Sequence, residues 1–328
     1  MINAGLPDLS ISRSAEKLDW GIPVPNDKSH TVYVWMDALT NYLTVAGYPD
    51  KMIREGGSGP DVQVVGKDIL KFHAIYWPAF LLAAGLPLPR TIVAHAHWTL
   101  DGKKIAKSKG NTVDPVAKLD QYGTDQLRFF LLREGRIRDD ADFTESKVVA
   151  SVNELANKLG NLFSRSTSKK INPAGIIPAV DTVNYAHGAE AELVARVEAT
   201  AAQVPAMYEA ANFSEGIDDV MMMLKAANIY FDSATPWKLA RMPDDLEAQT
   251  KLRTVIYMSL ECLRVAAVLL QPVIPGLACQ LLDRMGLEKG DIHRGASTLR
   301  FGVLDGQTLL KNTLPLVQKI DPQKNPHR

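Results

Sequence analysis

Residues 101–115 read Asp-Gly-Lys-Lys-Ile-Ala-Lys-Ser-Lys-Gly-Asn-Thr-Val-Asp-Pro, and no other stretch of the chain is so suggestive of chemistry. Lys104 and Lys107 stand three apart, with Ser108 and Lys109 beside them and Gly110 directly after. A mobile cationic loop of this kind suits a polyphosphate on which charge builds during a reaction. It is not a Walker loop, because the glycines do not precede the lysine at that motif's spacing. A solvated basic turn after a strand is common; the appended Gly-Asn-Thr-Val-Asp-Pro makes this one distinctive.

Two further stretches gather candidate ligand contacts. In Tyr33-Val-Trp35-Met-Asp37-Ala-Leu39-Thr-Asn-Tyr42 a β-rich run passes into a helix. Trp35 and Asp37 would then stand at the carboxyl end of a strand, where open α/β sheets bind ligands. In Gly66-Lys67-Asp68-Ile69-Leu-Lys-Phe-His73-Ala-Ile-Tyr-Trp77, the residues Ile69, His73 and Trp77 recur every four positions and would share one helix face. Each has a plainer reading. Aromatics spaced by four are more often core, and a lone helical histidine more often satisfies packing. Further on, Asn157, Asn161 and Arg165 recur every four residues as a polar ridge opposite an apolar stripe, which on most bundle helices is a solvated face. Thr235-Pro236-Trp237 reads as a helix start, threonine capping and proline in the first turn. Trp237 would either stack on an unpaired base or staple the helix. In His95-Ala-His97-Trp98 two histidines would share one strand face, suiting a nucleotide or simple packing but not a metal.

The elements that must position these residues change character along the chain. Residues 31–36, 62–65 and 91–94 read as buried strands, alternating with helical patterns over 37–46 and 69–84. Residues 56–60 form a loop, and the Gly-Leu-Pro-Leu-Pro of 85–89 stops the second helix. After Pro115 no strand is expected. Val148, Val152, Leu155, Leu159 and Leu162 make one helical stripe, and Ile217, Val220, Met221, Leu224, Ala227 and Phe231 another. Residues 254–270 form a long apolar helix stopped by Pro272 and Pro275, residues 169–178 a connector, and Met221–Met222–Met223 is core packing. The fold class is therefore α/β followed by all-α, with domains at 1–140 and 141–328.

Bulk composition narrows the function classes. The 328 residues suffice for two cores, and 46% hydrophobic with 23% charged residues is ordinary for a globular chain. Lys+Arg and Asp+Glu both number 37, so any nucleic-acid surface must be a local patch. Cys262 and Cys279 read as buried reduced thiols and not as a disulfide or zinc pair. No apolar run is long enough to span a membrane, and residues 1–13 resemble neither a signal peptide nor a transit helix.

The lysine stretch resembles the second signature of class I aminoacyl-tRNA synthetases, Lys-Met-Ser-Lys-Ser followed by Gly-Asn. Here it is Lys104-Ile105-Ala106-Lys107-Ser108, with Ala106 replacing the family's serine hydroxyl. With the two aromatic stretches, the likeness is to methionyl-tRNA synthetases and runs along nearly the whole chain. Its Ala-Leu-x-Asn-Tyr form is that of the bacterial and mitochondrial branch, Leu39 standing where another branch has proline. The resemblance implies the C-terminal half of a Rossmann-type catalytic domain followed by a helical anticodon-binding domain. It implies a methionine–tRNA ligase, which makes methionyl-adenylate from methionine and ATP and transfers the amino acid to tRNA(Met). Lys104, Lys107 and Ser108 would be catalytic, the lysines stabilising charge that migrates onto pyrophosphate. Gly66, Asp68 and Lys107 would meet ATP. Trp35, Leu39, Tyr42, Ile69, His73 and Trp77 would wall the methionine, whose polarisable thioether favours aromatic edges. Asn161, Arg165 and Trp237 would recognise the CAU anticodon. Lys103, Lys104, Lys107 and Lys109 would supply positive surface for the acceptor arm, as would Arg128, Arg133, Arg136 and Arg138.

The resemblance also sets expectations about surroundings. ATP with Mg2+ enters as substrate, no resident metal and no membrane are expected, and oligomeric state is left open. The compartment would be the mitochondrial matrix, or the cytoplasm of a bacterium. The family's first signature, His-x-Gly-His, occurs nowhere in the chain, and residues 6–13 resemble the middle of the family's catalytic domain. The chain is therefore expected to lack the N-terminal part of that domain and, alone, not to activate methionine. Two rivals stand beside this reading. Another class I synthetase would share the lysine loop without the aromatic set. A non-catalytic tRNA-binding protein would have kept only the helical half.

Overall fold

The computed structural model describes residues 2–18, 20–51, 59–105, 110–287, 299–304, 306, 309 and 315–320. The backbone falls into two compact units, Met1–His95 and Ala96–Arg328.

In the first unit, Asp27–Val32 lies between Ser12–Ser14 and Pro23–Val24 in an antiparallel three-stranded sheet. The strand expected over 31–36 thus ends at Val32 and is largely exposed, and the helix that follows, Trp35–Val45, already includes Trp35. The reason is tertiary. Trp35 and Leu39, one turn apart, bury against Trp77 and Leu81, so the apolar run is drawn into a helix instead of extending the sheet. Asp37 accordingly lies in the first turn of a helix. A second sheet pairs Val62–Gly66 with Thr91–His95 in parallel, Val62 facing Thr91 and Gly66 facing His95. Parallel strands need a crossover. Here it is a 3-10 turn at Lys67–Ile69, a π-helical turn at Phe72–Tyr76 and the α-helix Trp77–Ala83. Gly85, at φ of 67°, ends that helix as the sequence suggested.

The second unit begins with a small sheet in which Trp98–Leu100 pairs antiparallel with Lys103–Lys104 and parallel with Ala141–Phe143. Strand structure beyond Pro115 was not expected, and Ala141–Phe143 corrects that reading. Three residues are too few to show a period. The rest is helical, and the two stripes read from the sequence are buried throughout. Leu246–Leu270, longer at its start than expected because Asp245 caps it through the Ala248 amide, is buried on nearly every side and forms the centre of the bundle. Met221 and Met223 are core while Met222 is exposed, and Cys262 is buried but Cys279 only half-buried. No helix among the described residues is long and apolar enough to cross a membrane.

Candidate functional site

The cationic loop springs from a hairpin whose parts are legible residue by residue. Asp101 and Gly102 both take positive φ, 50° and 71°, the geometry of a two-residue turn that matches the strand twist. They join Trp98–Leu100 to Lys103–Lys104 with Thr99 opposite Lys104. Lys104 is exposed on the outgoing strand. Lys107 and Ser108 lie outside the described residues. Beyond the loop, Asn111 donates from its amide to the Lys104 carbonyl at 3.0 Å, closing the neck. Gly110 takes a φ of 68° to turn the chain back. Asp114 then accepts from the Val116 amide at 2.9 Å and caps Pro115–Tyr122, with proline in its favoured first position. The Gly-Asn-x-Val-Asp-Pro tail is therefore the loop's exit fitting.

The base of this hairpin is seated on the bundle. Trp98 lies 5.5 Å from Phe130 between ring centres, and Phe130 meets Phe143 edge-on at 5.6 Å. Asp142, on the neighbouring strand, accepts from the Thr99 hydroxyl at 2.6 Å and from the Gly102 amide at 2.8 Å, both on the same oxygen. Those two bonds hold its carboxyl below the usual carboxylate range. Sequence reasoning missed Asp142, because nothing in Ala-Asp-Phe-Thr distinguishes it from a surface loop.

In the first unit, the expected amino-acid wall is brought together in large part. Trp35 touches Phe72, Tyr76 and Phe80 at 5.6–5.9 Å between ring centres and donates from its indole to the Ser10 carbonyl at 3.2 Å. Tyr42 lies 6.0 Å from Trp77 and 5.7 Å from His73. His73 Nδ1 is 2.9 Å from the Ile69 carbonyl, which can only accept, so that nitrogen carries the proton. In the neutral ring Nε2 then accepts from the Tyr42 hydroxyl, at 2.9 Å. Trp35, Leu39 and Trp77 are core as well, as the plainer reading held. Ile69 departs from the expected face. It is 43% exposed, because the regular helix gives way to a 3-10 turn at that point. Trp77 Nε1 and the Tyr76 hydroxyl are buried without a partner among the described residues, so a polar group brought to this cluster would find donors waiting. Tyr76 was not singled out from the sequence; its place three residues after His73 was the available signal.

Gly66 is extended where it faces His95, and a side chain there would meet that imidazole at 4.0 Å. Asp68 is exposed in the 3-10 turn. The histidine pair is a correction: His95 ends one strand, His97 precedes the next, and the two belong to different units. Among the described residues no cluster of three or more histidine, cysteine or carboxylate groups could hold a metal.

On the bundle, Glu145–Leu155 continues through a π-helical turn at Ala156–Gly160 into Asn161–Ser166, so the every-four ridge is interrupted. Asn157 and Asn161 remain exposed while Arg165 is half-buried. The Arg165 guanidinium lies 4.7 Å from the Phe231 ring centre and 5.9 Å from that of Trp237, and it is ion-paired with Asp232. Trp237 is 39% exposed. Thr235 does not cap by its side chain as expected. It adopts φ of 46° and its amide bonds the Asp232 carbonyl, a left-handed kink that turns the following Pro236–Leu239 helix. Of the basic residues expected at the surface, Arg128 donates to the Pro272 and Val273 carbonyls, and Arg133 bonds Glu154 at 2.6 Å and Asp218 at 2.7 Å. Those two fasten helices together. Arg136 and Arg138 remain exposed.

Comparison with known proteins adds the following. Residues 1–167 match the family of class I (M) tRNA synthetases, and residues 180–324 match the anticodon binding domain of methionyl tRNA ligase. The methionine–tRNA ligase of Rickettsia bellii is 41% identical over 94% of this chain and 60% of its own length. The human mitochondrial methionine–tRNA ligase is 45% identical over 88% of this chain and 51% of its own. The Mycobacterium tuberculosis methionyl-tRNA synthetase in complex with methionyl-adenylate superposes with a TM-score of 0.83 at 39% identity, covering 96% of this chain and 61% of that one. The chain thus spans about half to three-fifths of the length of these relatives.

Proposed function

The chain belongs to the methionyl branch of the class I tRNA synthetases, and from that membership we propose that its protein is a methionine–tRNA ligase acting in translation. The methionine carboxylate attacks the α-phosphorus of ATP and pyrophosphate leaves with the bridging electrons; a hydroxyl of the terminal ribose of tRNA(Met) then attacks the methionyl carbonyl, giving up its proton as AMP leaves. The protein supplies no nucleophile. Lys104, Lys107 and Ser108 stabilise the charge that migrates onto pyrophosphate, Mg2+ arriving with ATP as part of the substrate. Gly66 lets the adenosine approach closely, and Asp68 accepts from its ribose hydroxyls. Trp35, Leu39, Tyr42, Ile69, His73 and Trp77 contact methionine. Tyr42, held through the His73 imidazole, is fixed in orientation, which sharpens a pocket that must reject isosteres differing by about 1–3 kcal/mol. As domains we keep a catalytic part over 1–140 and an anticodon part over 141–328.

The observation that carries the reading is the corner where Arg165 lies over Trp237 with Asn161 one turn away. It joins a partly exposed indole to an amide and a guanidinium, the groups that stack on and pair with unpaired bases. Asn111 and Asp114 support the same reading at the other site by fixing both ends of the lysine loop. For the compartment we keep the mitochondrial matrix, with a bacterial cytoplasm as the alternative; the mitochondrial and rickettsial relatives support either. Two measurements test the assignment. This chain should bind tRNA bearing CAU at least tenfold more tightly than one with a changed first anticodon base. The complete enzyme should exchange pyrophosphate into ATP with methionine and not with leucine. Equal binding of both tRNAs refutes the anticodon assignment, and exchange driven by leucine refutes the amino-acid assignment.

A further inference from the structure

We propose that Asp142 is a positioning residue for the lysine loop: it fixes the hairpin that carries Lys104 and leads into the loop, and so sets where Lys104 meets the polyphosphate. This rests on the function proposed above for Lys104 and Lys107. The hairpin is only two pairs long, Thr99 with Lys104 and Leu100 with Lys103, and a ladder that short does not hold its own orientation. Asp142 stands directly opposite Thr99 on the adjoining strand. One of its oxygens gathers the Thr99 hydroxyl from the incoming strand and the Gly102 amide from the turn. The incoming strand and the turn are thereby pinned at a single point, one hydrogen-bonded pair from Lys104. Charge-assisted bonds of this kind are shorter and stronger than neutral ones. The carboxyl is held ionised by the same contacts, so the acceptor stays available at neutral pH.

Asp142 is not part of the core. It is half-exposed, whereas Phe143 beside it is buried and keeps its contact with Phe130 independently. Removing the carboxylate should therefore loosen the hairpin without unseating the sheet. In the complete enzyme, Asp142→Ala is expected to lower kcat for methionine-dependent pyrophosphate exchange at least tenfold, with KM for methionine within twofold of wild type. Asp142→Asn retains an acceptor oxygen and should recover to within threefold. Thr99→Val removes one of the two anchors, away from the loop itself, and should lower kcat about threefold.

A second readout does not depend on the reaction. In the 328-residue chain, trypsin should cut after Lys104, Lys107 or Lys109 at least fivefold faster in Asp142→Ala, with cleavage at Lys169 and Lys170 unchanged. A kcat for Asp142→Ala within twofold of wild type overturns the proposal. So does an Asp142→Asn enzyme as impaired as the alanine variant, since an acceptor oxygen at that point is then not what sets the rate, or cleavage accelerated throughout the chain, which marks a general stabilising role. Wild-type enzyme that exchanges no pyrophosphate with methionine would instead defeat the functional assignment. The proteolysis pattern would then still decide whether Asp142 pins the loop.

Discussion

A lysine at a phosphate site matters to rate only through charge that is present in the transition state and absent from the ground state. Lys107→Ala in the complete enzyme should therefore lower kcat for pyrophosphate exchange by roughly a hundredfold to a thousandfold, corresponding to about 2.7–4 kcal/mol, with methionine affinity nearly unchanged. An unaltered exchange rate would remove Lys107 from the mechanism. Trp237 makes a different kind of contribution, because it offers an exposed π-face beside Arg165. Trp237→Ala should cost about 1–3 kcal/mol in charging tRNA that bears CAU, and nothing in methionine activation. A mutant that discriminates anticodons as well as wild type would mark Trp237 as a helix staple. At this scale much was legible. His73 and Trp77 were singled out by spacing, Trp35 by its place after a β-rich run and Tyr42 by the resemblance alone, and the four do converge. What the spacing could not separate was ligand wall from core, because the same aromatic faces can serve both. Ile69 escaped for a simpler reason: a period of four presumes an α-helix, and the chain there makes a 3-10 turn.

The two long apolar stripes and the short strands at 62–65 and 91–94 were legible, whereas the run at 31–36 was misread and the helix Gly188–Glu209 went unnoticed. The stripes through Val148–Leu162 and Ile217–Phe231 are buried throughout, since hydrophobic burial follows helical phase over many turns. Ala141–Phe143 left no such trace, although it carries the residue that anchors the hairpin. Thr235 was misjudged because threonine before proline suits a cap, whereas here the backbone takes a left-handed turn that bonds to Asp232. Ties between helices were likewise hidden. Arg133 looked like surface charge, yet with Glu154 and Asp218 it clamps three helices, Lys158 also reaching Glu154 at 2.6 Å. Burial alone would raise the Glu154 pKa, and the hydrogen bonds from Arg133 and Lys158 outweigh it, leaving the group below its ordinary value. Its contribution to stability is thus full above the unfolded-state pKa of about 4.3, and it disappears as pH falls through the lower folded-state value. Glu154→Gln should be less stable than wild type at pH 6–7 by about 1 kcal/mol, and the gap should close on acidification towards pH 3. Thermal melts across that range check it; a gap that stays constant with pH would mean the loss is one of packing.

Across the molecule, each of the two units has its own buried cluster, four large residues centred on Trp35 and Trp77 in one and the bundle core in the other. A fragment beginning at Ala96 should accordingly unfold in one cooperative transition and retain tRNA affinity within threefold of the 328-residue chain. A gradual, non-cooperative melt would show that its core depends on residues 1–95. The division between a mixed first part and a helical second part was readable from where strand patterns give way to helical ones, but the seating of the lysine hairpin upon Phe130 was not, since only folding brings Trp98 and Phe143 to that ring. One irregularity has a reach beyond its own turn. The helix that runs from Glu145 to Ser166 holds a π-helical turn at Ala156–Gly160, which accommodates one residue more than the α-helical path it replaces. The extra residue is taken up in the wide turn, so the helix beyond it keeps the phase of an α-helix one residue shorter. Loss of the exposed Asn157 would let the α-helix close through the bulge with Asn161 and Arg165 near their present azimuth. The same loss from a helix without such a turn would swing everything beyond it by about 100°. The segment holds one residue of slack, and a single deletion there should be better tolerated than a single insertion.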